Sequence, residues 1–357
     1  MYQLIEFDSE AEKITDFLSL PKKIYTSAQL TQDMEEEQAL LSGTHLLSSY
    51  FRLRKLLVYD KQGNVCGRCV LTIYPNDHTG YLGFFETIED KSCSRQLFDW
   101  AAETAAAEGL KKLVGPVDCS FWVRYRLKTN HFERAPYITE PYHHAYYLDY
   151  FLENQFEITE RYVSNSYPAM MKNQQPSSYL RANQRLIKQG YQIVSPRKQE
   201  WEQVIGEVYQ LLIELYADFP VFKEISQEDF QAYFARYKIV LDLSMVKMAY
   251  YKGQPVAFFI GIPDYGNSFY GRMTPVKLFR FLRTKKKAKR YILSYLGVLN
   301  SHLGVGLGIA HEIMEELYRR GAASVGVFIQ SGKVTERYWG EFIEDKSQYV
   351  LLERKVQ

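Results

Sequence analysis

The spacing of apolar residues in the second half of the chain alternates between the period of a strand and that of a helix. The predicted strands lie at 191–195, 245–250, 255–262, 291–298, 324–329 and 348–353. The predicted helices lie at 201–215, at 227–237, from Ile309 to Arg320, and around Tyr338. Gly321 ends the third helix, because glycine readily adopts the left-handed conformation that stops one. This order of elements predicts an α/β (α+β) fold.

A glycine-rich turn, Leu303 to Gly308, joins the strand at 291–298 to its helix. Such a turn leaves backbone N–H groups unpaired at a helix start, where they can bind phosphate, and glycine lets a ligand approach closely. The spacing Gly-x-Gly-x-Gly differs from the dinucleotide-binding Gly-x-Gly-x-x-Gly, and no Gly-Lys-Ser/Thr follows, as a Walker loop requires. The alternative interpretation is a tight connection that binds nothing.

The first half repeats this plan. Its predicted strands lie at 55–59, 65–74, 80–87, 111–114 and 158–163, and its predicted helices at 94–108 and 144–154. In place of the glycine turn it has Glu89 and Asp90, and negative charge at a helix start opposes phosphate. We therefore predict a divergent duplication with domains at 1–168 and 169–357, a junction within Met170–Lys188, and a phosphate-binding turn only in the second domain.

The glycine turn and the strand before it resemble the signature of the GCN5-related N-acetyltransferase (GNAT) fold, Val-x-Pro-x-Tyr followed by Arg/Gln-x-x-Gly-x-Gly/Ala. Val298, Gly306 and Gly308 match the pattern, whereas Asn300 and His302 replace the proline and the aromatic residue. Leu303 replaces the Arg or Gln. Five further segments resemble bacterial tandem-GNAT proteins: Phe17–Tyr25, Gly83–Asp90, Val114–Asp118, Tyr146–Glu157 and Tyr270–Arg283.

The resemblance implies two GNAT-like domains, each with a mixed, mostly antiparallel sheet flanked by helices. It implies acetyl-CoA as co-substrate and transfer of the acyl group to an amine of a small molecule or peptide. The coenzyme residues it assigns are Leu296, Val298, Leu303, Gly304, Val305, Gly306, Leu307, Gly308 and Ile309. Tyr338 is the proton donor for the leaving thiolate, with a core aromatic as the alternative, and His302 and Tyr295 are the candidate bases.

Two other functions stay open. Tandem GNAT-like folds also serve the peptidoglycan-bridge aminoacyltransferases, which use aminoacyl-tRNA, and a protein that has lost its chemistry could bind a ligand without turnover. The missing Arg or Gln at position 303 favours the ligand-binding alternative, whereas the glycine turn favours a donor with a pyrophosphate.

Composition restricts the partners. The net charge of +2 over 357 residues favours neither nucleic acid nor an acidic partner, and nucleic acid is not expected. The run Arg280–Arg290 has seven basic residues and no acid, and we interpret it as a solvated loop, with the coenzyme's 3′-phosphate, an anionic substrate or nucleic acid as alternatives. No signal peptide, membrane span, membrane partner or metal site is expected, which predicts a cytoplasmic protein. Cys66 and Cys69 have redox spacing but lie in a predicted strand, so we expect buried structural thiols.

Overall fold

The computed structural model describes residues 2–171, 174 and 176–356 and separates into two compact units. The first unit comprises Met1–Tyr162, Gly266–Arg272 and Ser347–Gln357, and the second comprises Val163–Tyr265 and Met273–Lys346. The mixed helix-and-strand composition confirms the predicted α/β class. The domain boundary at residue 168 stays a prediction.

The first unit is a mixed sheet with helices packed on it. Its strands are β1 (Gln3–Phe7), β2 (Arg52–Tyr59), β3 (Val65–Ile73), β4 (Thr79–Thr87), β5 (Lys112–Gly115), β6 (Val117–Asp118), β7 (Arg124–Tyr125), β8 (Leu127–Lys128), β9 (Glu157–Tyr167, which continues into the second unit) and the last strand of the chain, β15 (Asp345–Lys355). Its helices are α1 (Ala11–Ile24), α2 (Met34–Leu41), α3 (Lys91–Ala107) and α4 (Tyr146–Glu153). The sheet order is β1-β2-β3-β4-β5-β15, antiparallel apart from the parallel pair β4 and β5.

The second unit repeats this arrangement. Its further strands are β10 (Tyr191–Val194), β11 (Val246–Tyr251), β12 (Gln254–Pro263), β13 (Arg290–Val298) and β14 (Ala323–Gln330). Its helices are α5 (Ser177–Lys188), α6 (Trp201–Tyr216), α7 (Gln227–Phe234), α8 (Tyr237–Val240), α9 (Pro275–Lys287) and α10 (Val305–Arg320). The sheet order is β10-β11-β12-β13-β14, and only β13 and β14 run parallel.

Strand β13 is paired differently on its two edges. It pairs with β12 along its length, from Tyr291 to Val298. It pairs with β14 only from Arg290 to Leu293. The register between β13 and β12 shifts at this point, because Leu293 and Tyr295 pair with consecutive residues of β12. Ser294 between them has no β12 partner and forms a β-bulge, which increases the local twist. The second half of β13 therefore has no described strand partner on its β14 edge.

Two sequence predictions are wrong. The basic run is not a loop, because most of it forms α9, whose first turn is capped by the Thr274 side chain and begins with Pro275. The segment around Tyr338 is not an α-helix but two 3₁₀ turns, Val334–Arg337 and Gly340–Phe342. Between these turns Trp339 has a left-handed backbone, and its N–H donates to the Tyr179 hydroxyl at 3.1 Å, which interrupts the helical series.

The predicted junction Met170–Lys188 contains a packed helix. Residues 172, 173 and 175 of this segment lie outside the described residues, but 177–188 form α5, which packs against α10. The contact is closest at Gly308, where an added Cβ would lie 2.3 Å from Leu186 Cδ1 and 3.3 Å from Asn183 Cα. The Asn183 amide also donates to the Gly308 carbonyl at 3.2 Å. Gly308 is thus required by helix packing.

We expect Gly308→Val to destabilise the second unit, because its side chain would overlap Leu186 and the Asn183 backbone. Overpacking of this kind costs about 1–3 kcal/mol, or roughly 3–10 °C in melting temperature for a unit of this size. The control is Gly340→Val, since an added Cβ at Gly340 meets no atom within 4 Å. Equal melting temperatures of the two variants in calorimetry would contradict the packing role.

Candidate functional site

The start of α10 is an uncapped helix N-terminus. Gly304 precedes the helix with φ of 101°, a left-handed conformation that favours glycine, and no described side chain caps the helix. The helix begins at Val305, so the amides of Gly308 and Ile309 belong to its internal hydrogen-bond series. The amides of Gly304 to Leu307 are those that a helix leaves unpaired. Leu303, just before them, is 79% exposed.

The Tyr338 hydroxyl lies directly against this helix start. A Cβ added at Gly306 would be 2.5 Å from Tyr338 Oη and 3.6 Å from Val298 Cγ2. Any side chain at position 306 would therefore displace the phenol. The structure brings Tyr338, the first turn of α10 and the end of β13 together.

The environment of Tyr338 keeps its phenol protonated. Burial, with a smaller contribution from Tyr179, raises the pKa of Tyr338 to about 12. The two rings meet edge to face with centroids 6.0 Å apart. The Tyr338 hydroxyl makes no hydrogen bond with a described residue. It is a neutral donor with its hydrogen-bonding capacity unused.

The two candidate bases lie in different places. The Nδ1 atom of His302 and the Tyr191 hydroxyl form a hydrogen bond of 2.8 Å. The imidazole ring also packs against the rings of Tyr191 and Tyr251. These tyrosines belong to β10 and β11, and β11 is two strands, or about 10 Å, from β13. Tyr295 follows the bulge directly and pairs with Ile260. The geometry therefore brings Tyr295, and not His302, to the half of β13 that lacks β14.

The remaining predicted coenzyme residues on β13 lie beyond the last β14 pair. Leu296 and Val298 pair with Phe259 and Ala257 of β12, and both are half-buried. The Ser294 hydroxyl at the bulge is buried and has no partner among the described residues. A buried hydroxyl without a hydrogen bond is destabilising unless a ligand supplies one.

Arg185 on α5 is a site residue that sequence reasoning missed. Its Nη2 lies 3.8 Å from where a Cβ of Gly304 would be, and it forms no ion pair with a described residue. The packing of α5 on α10 at Gly308 holds this exposed guanidinium beside the helix start. The helical spacing of Tyr179, Ala182 and Leu186 could have revealed α5, but nothing in the sequence points to its position over the turn.

The first unit closes the equivalent position with its own residues. Its parallel pairing of β4 with β5 also ends early, at Tyr81 and Val114, and β4 is also bulged. Here β6 fills the opening, because a Cβ at Gly83 would lie 1.9 Å from the Val117 carbonyl oxygen. The Phe84 N–H at the bulge donates to the Asp118 carboxylate at 2.5 Å.

The helix start in the first unit is also occupied. The Asp90 side chain accepts hydrogen bonds from the amides of Ser92 and Cys93 at the start of α3. A carboxylate thus takes the place that an anionic ligand would need, in contrast to the uncapped start of α10.

The described residues also bear on metal, redox and membrane sites. No group of three or more His, Cys, Asp or Glu in the described residues could hold a metal ion. The four cysteines are free and buried. No helix in the described part of the chain is both long and apolar enough to cross a membrane.

The chain has the tandem GNAT fold. A tandem GNAT protein from the clavulanic acid biosynthesis pathway, solved without acetyl-CoA, matches 100% of this chain and 99% of its own, with a TM-score of 0.56 and 10% identity. A GCN5-related N-acetyltransferase from Sphaerobacter thermophilus matches over 99% and 96%, with a TM-score of 0.52 and 11% identity.

A third match is partial. The glucosamine N-acetyltransferase region of a fungal multi-domain β-N-acetylglucosaminidase aligns with 99% of this chain but only 38% of its own, with a TM-score of 0.56 and 12% identity. No protein-family model and no curated protein matches the sequence. The likeness at these identities is one of fold.

We expect Tyr338 to titrate near pH 12, above the ordinary tyrosine value of about 10. Since the folded state raises this pKa, it favours the neutral phenol, and the associated stability is lost as the pH rises from about 10 through 12. The tyrosinate absorbance of the wild type minus that of Tyr338→Phe gives the titration of this phenol. A difference curve centred near pH 10, while circular dichroism shows folded protein, would contradict the assignment.

Proposed function

We propose that the protein is an acyl-CoA-dependent N-acyltransferase with one coenzyme site, in the second unit. The observation that carries the proposal is the uncapped start of α10, with the Tyr338 hydroxyl against Gly306 at the open end of β13. The amides at this helix start can donate hydrogen bonds to a pyrophosphate, and the Tyr338 hydroxyl can donate one to a leaving sulfur. The tandem GNAT fold supports this function.

The donor is held by backbone groups and one cation. The amides of Gly304 to Leu307 bind the pyrophosphate, and Arg185 supplies the positive charge that Leu303 cannot. The half of β13 without a β14 partner offers its edge to the pantetheine, at Leu296 and Val298. Asp90 and Asp118 occupy the matching positions in the first unit, which supports a structural or substrate-shaping role there.

The reaction is direct transfer. The free amine attacks the thioester carbonyl, the N–C bond forms, and backbone N–H groups at the bulge stabilise the developing oxyanion. The C–S bond then breaks and the coenzyme leaves as a thiolate. The nitrogen loses one proton and the thiolate gains one, so the products are the amide and the free thiol. Tyr338 donates its hydrogen bond to the leaving sulfur, because a phenol with a pKa of about 12 stays protonated at neutral pH. Tyr295 is the favoured base or water-positioning residue by its place on β13.

The acyl-CoA donor is favoured over aminoacyl-tRNA by the position of the basic run. Helix α9 precedes β13, whereas the glycine turn follows it, and the strand between them spans about 26 Å. The basic residues therefore do not line the donor site. A ligand-binding protein would bind the coenzyme but would not transfer its acyl group. Two experiments therefore separate this function from that of an acyltransferase.

The first experiment is calorimetric titration with acetyl-CoA. We expect one site per chain, weakened about tenfold by Leu303→Glu and tightened several-fold by Leu303→Arg, because position 303 is exposed beside the proposed pyrophosphate. Arg185→Gln should also weaken binding about tenfold, whereas Leu303→Met and Arg181→Gln are controls. Absence of wild-type binding, or equal affinity of the Glu and Arg variants, would reject the coenzyme site.

The second experiment measures thiol release from acetyl-CoA with a panel of amines. We expect Tyr338→Phe to lower kcat about 10²-fold or more with the acetyl-CoA Kd unchanged, because the phenol acts on the leaving group. The control is Tyr318→Phe, which removes another hydroxyl without a partner among the described residues, about 20 Å along α10. Binding without turnover by the wild type would favour the ligand-binding function.

A further inference from the structure

Helix α9 exposes large apolar side chains to solvent. Val276 is 72% exposed, Phe279 69% and Leu282 49%, and their three-residue spacing places them along one side of the helix. Phe281, on the opposite side, is 1% exposed and packs on the Tyr265 ring at 4.7 Å. The helix is thus anchored by its inner face, while its outer face has no described partner for three apolar residues.

The same outer face is strongly basic. Arg280, Arg283, Lys286 and Lys287 are exposed, form no ion pair with a described residue, and interleave with the apolar residues. The segment from Met273 to Arg290 contains no acidic residue. An exposed helix face that is both apolar and cationic is typical of helices that lie in the interface of an anionic bilayer.

A cleft of about 410 Å³ opens beside this face. Its polar lining comprises Arg280, Arg283, Thr284, Lys287, Lys289 and Asp264. The Asp264 carboxylate is paired with Arg290, so the cations determine the charge of the cleft. Guanidinium and ammonium groups in this arrangement suit a phosphate.

We propose that α9 docks on an anionic phospholipid surface. Val276, Phe279 and Leu282 enter the interface, the cations of the face contact lipid phosphates, and the cleft accepts one headgroup phosphate. The apolar residues favour lipid over nucleic acid, because a phosphate backbone would leave them in water. The proposal departs from the expectation of no membrane partner, and it is independent of the proposed coenzyme site, which lies at the other end of β13.

The test is cosedimentation of the full chain with vesicles of phosphatidylcholine alone or mixed with phosphatidylglycerol. We expect binding only to the mixed vesicles, and added salt should weaken it. The single variant Phe279→Ser and the double variant Arg283→Glu/Lys286→Glu should each weaken binding about tenfold or more. The matched controls are Val334→Ser and Lys333→Glu, because Val334 and Lys333 are exposed in the same unit but lie outside α9. Unchanged melting temperatures confirm that each variant is folded.

Two results would overturn the proposal: no binding to the mixed vesicles, and binding that the α9 variants leave unchanged. If the vesicles do not bind, two further measurements identify another occupant of the face. Binding of tRNA that Arg283→Glu abolishes and Phe279→Ser spares would assign the face to nucleic acid. A dimer in sedimentation velocity that Phe279→Ser dissociates would assign it to a second copy of the chain.

Discussion

The pairing of β13 is the constraint on which the second unit's candidate site depends. Hydrogen bonds to β12 hold the strand along its length, whereas β14 pairs only with residues up to Leu293. The bulge at Ser294 coincides with this loss of pairing, and a bulge re-aims the residues that follow it. The rest of β13 is held by β12 on one edge and has no described strand partner on the other. From the end of β13 the chain passes through a 3₁₀ turn at Asn300–His302 to Gly304 and the start of α10, and the Val298 side chain lies beside Gly306.

The two units differ at the bulged strand edge and at the helix start that follows it. Both have a bulged strand whose parallel pairing ends early, but in the first unit β6 fills the opening and Asp118 binds the bulge N–H. Arg124 fixes that carboxylate with a 2.7 Å hydrogen bond from its Nε, and Asp90 caps the following helix. The first unit thus satisfies with its own carboxylates the backbone donors at its bulge and helix start, whereas no described side chain caps the start of α10. The same fold therefore supports a closed form and an open form that differ at a few polar positions.

The fold class and the order of the central strands were predictable, because buried strands and the apolar stripe of α10 have strong periodicity. The error at α9 has a physical cause: its basic residues suggested a loop, while its one deeply buried residue, Phe281, gives too little apolar periodicity. The segment of α5 was predicted as a junction because it is rich in Asn, Gln, Ser and Lys, and this composition hid the helix at Ser177–Lys188. Asn183 and Gly308 are 125 residues apart in the chain, so no local pattern could place Arg185 at the glycine turn.

The three glycines of the turn have three different physical reasons. Gly304 adopts a left-handed backbone, Gly306 leaves room for the Tyr338 hydroxyl, and Gly308 lets Leu186 of α5 approach α10. Only the first shapes the turn itself, so the glycine spacing alone is weak evidence for phosphate binding. The stronger evidence is what surrounds it at one helix start: amides that no described side chain caps, and the Arg185 guanidinium and Tyr338 hydroxyl, which have no ion pair or hydrogen bond with any described residue. These groups together have unused donors and positive charge, which is the complement of a pyrophosphate and a thiolate.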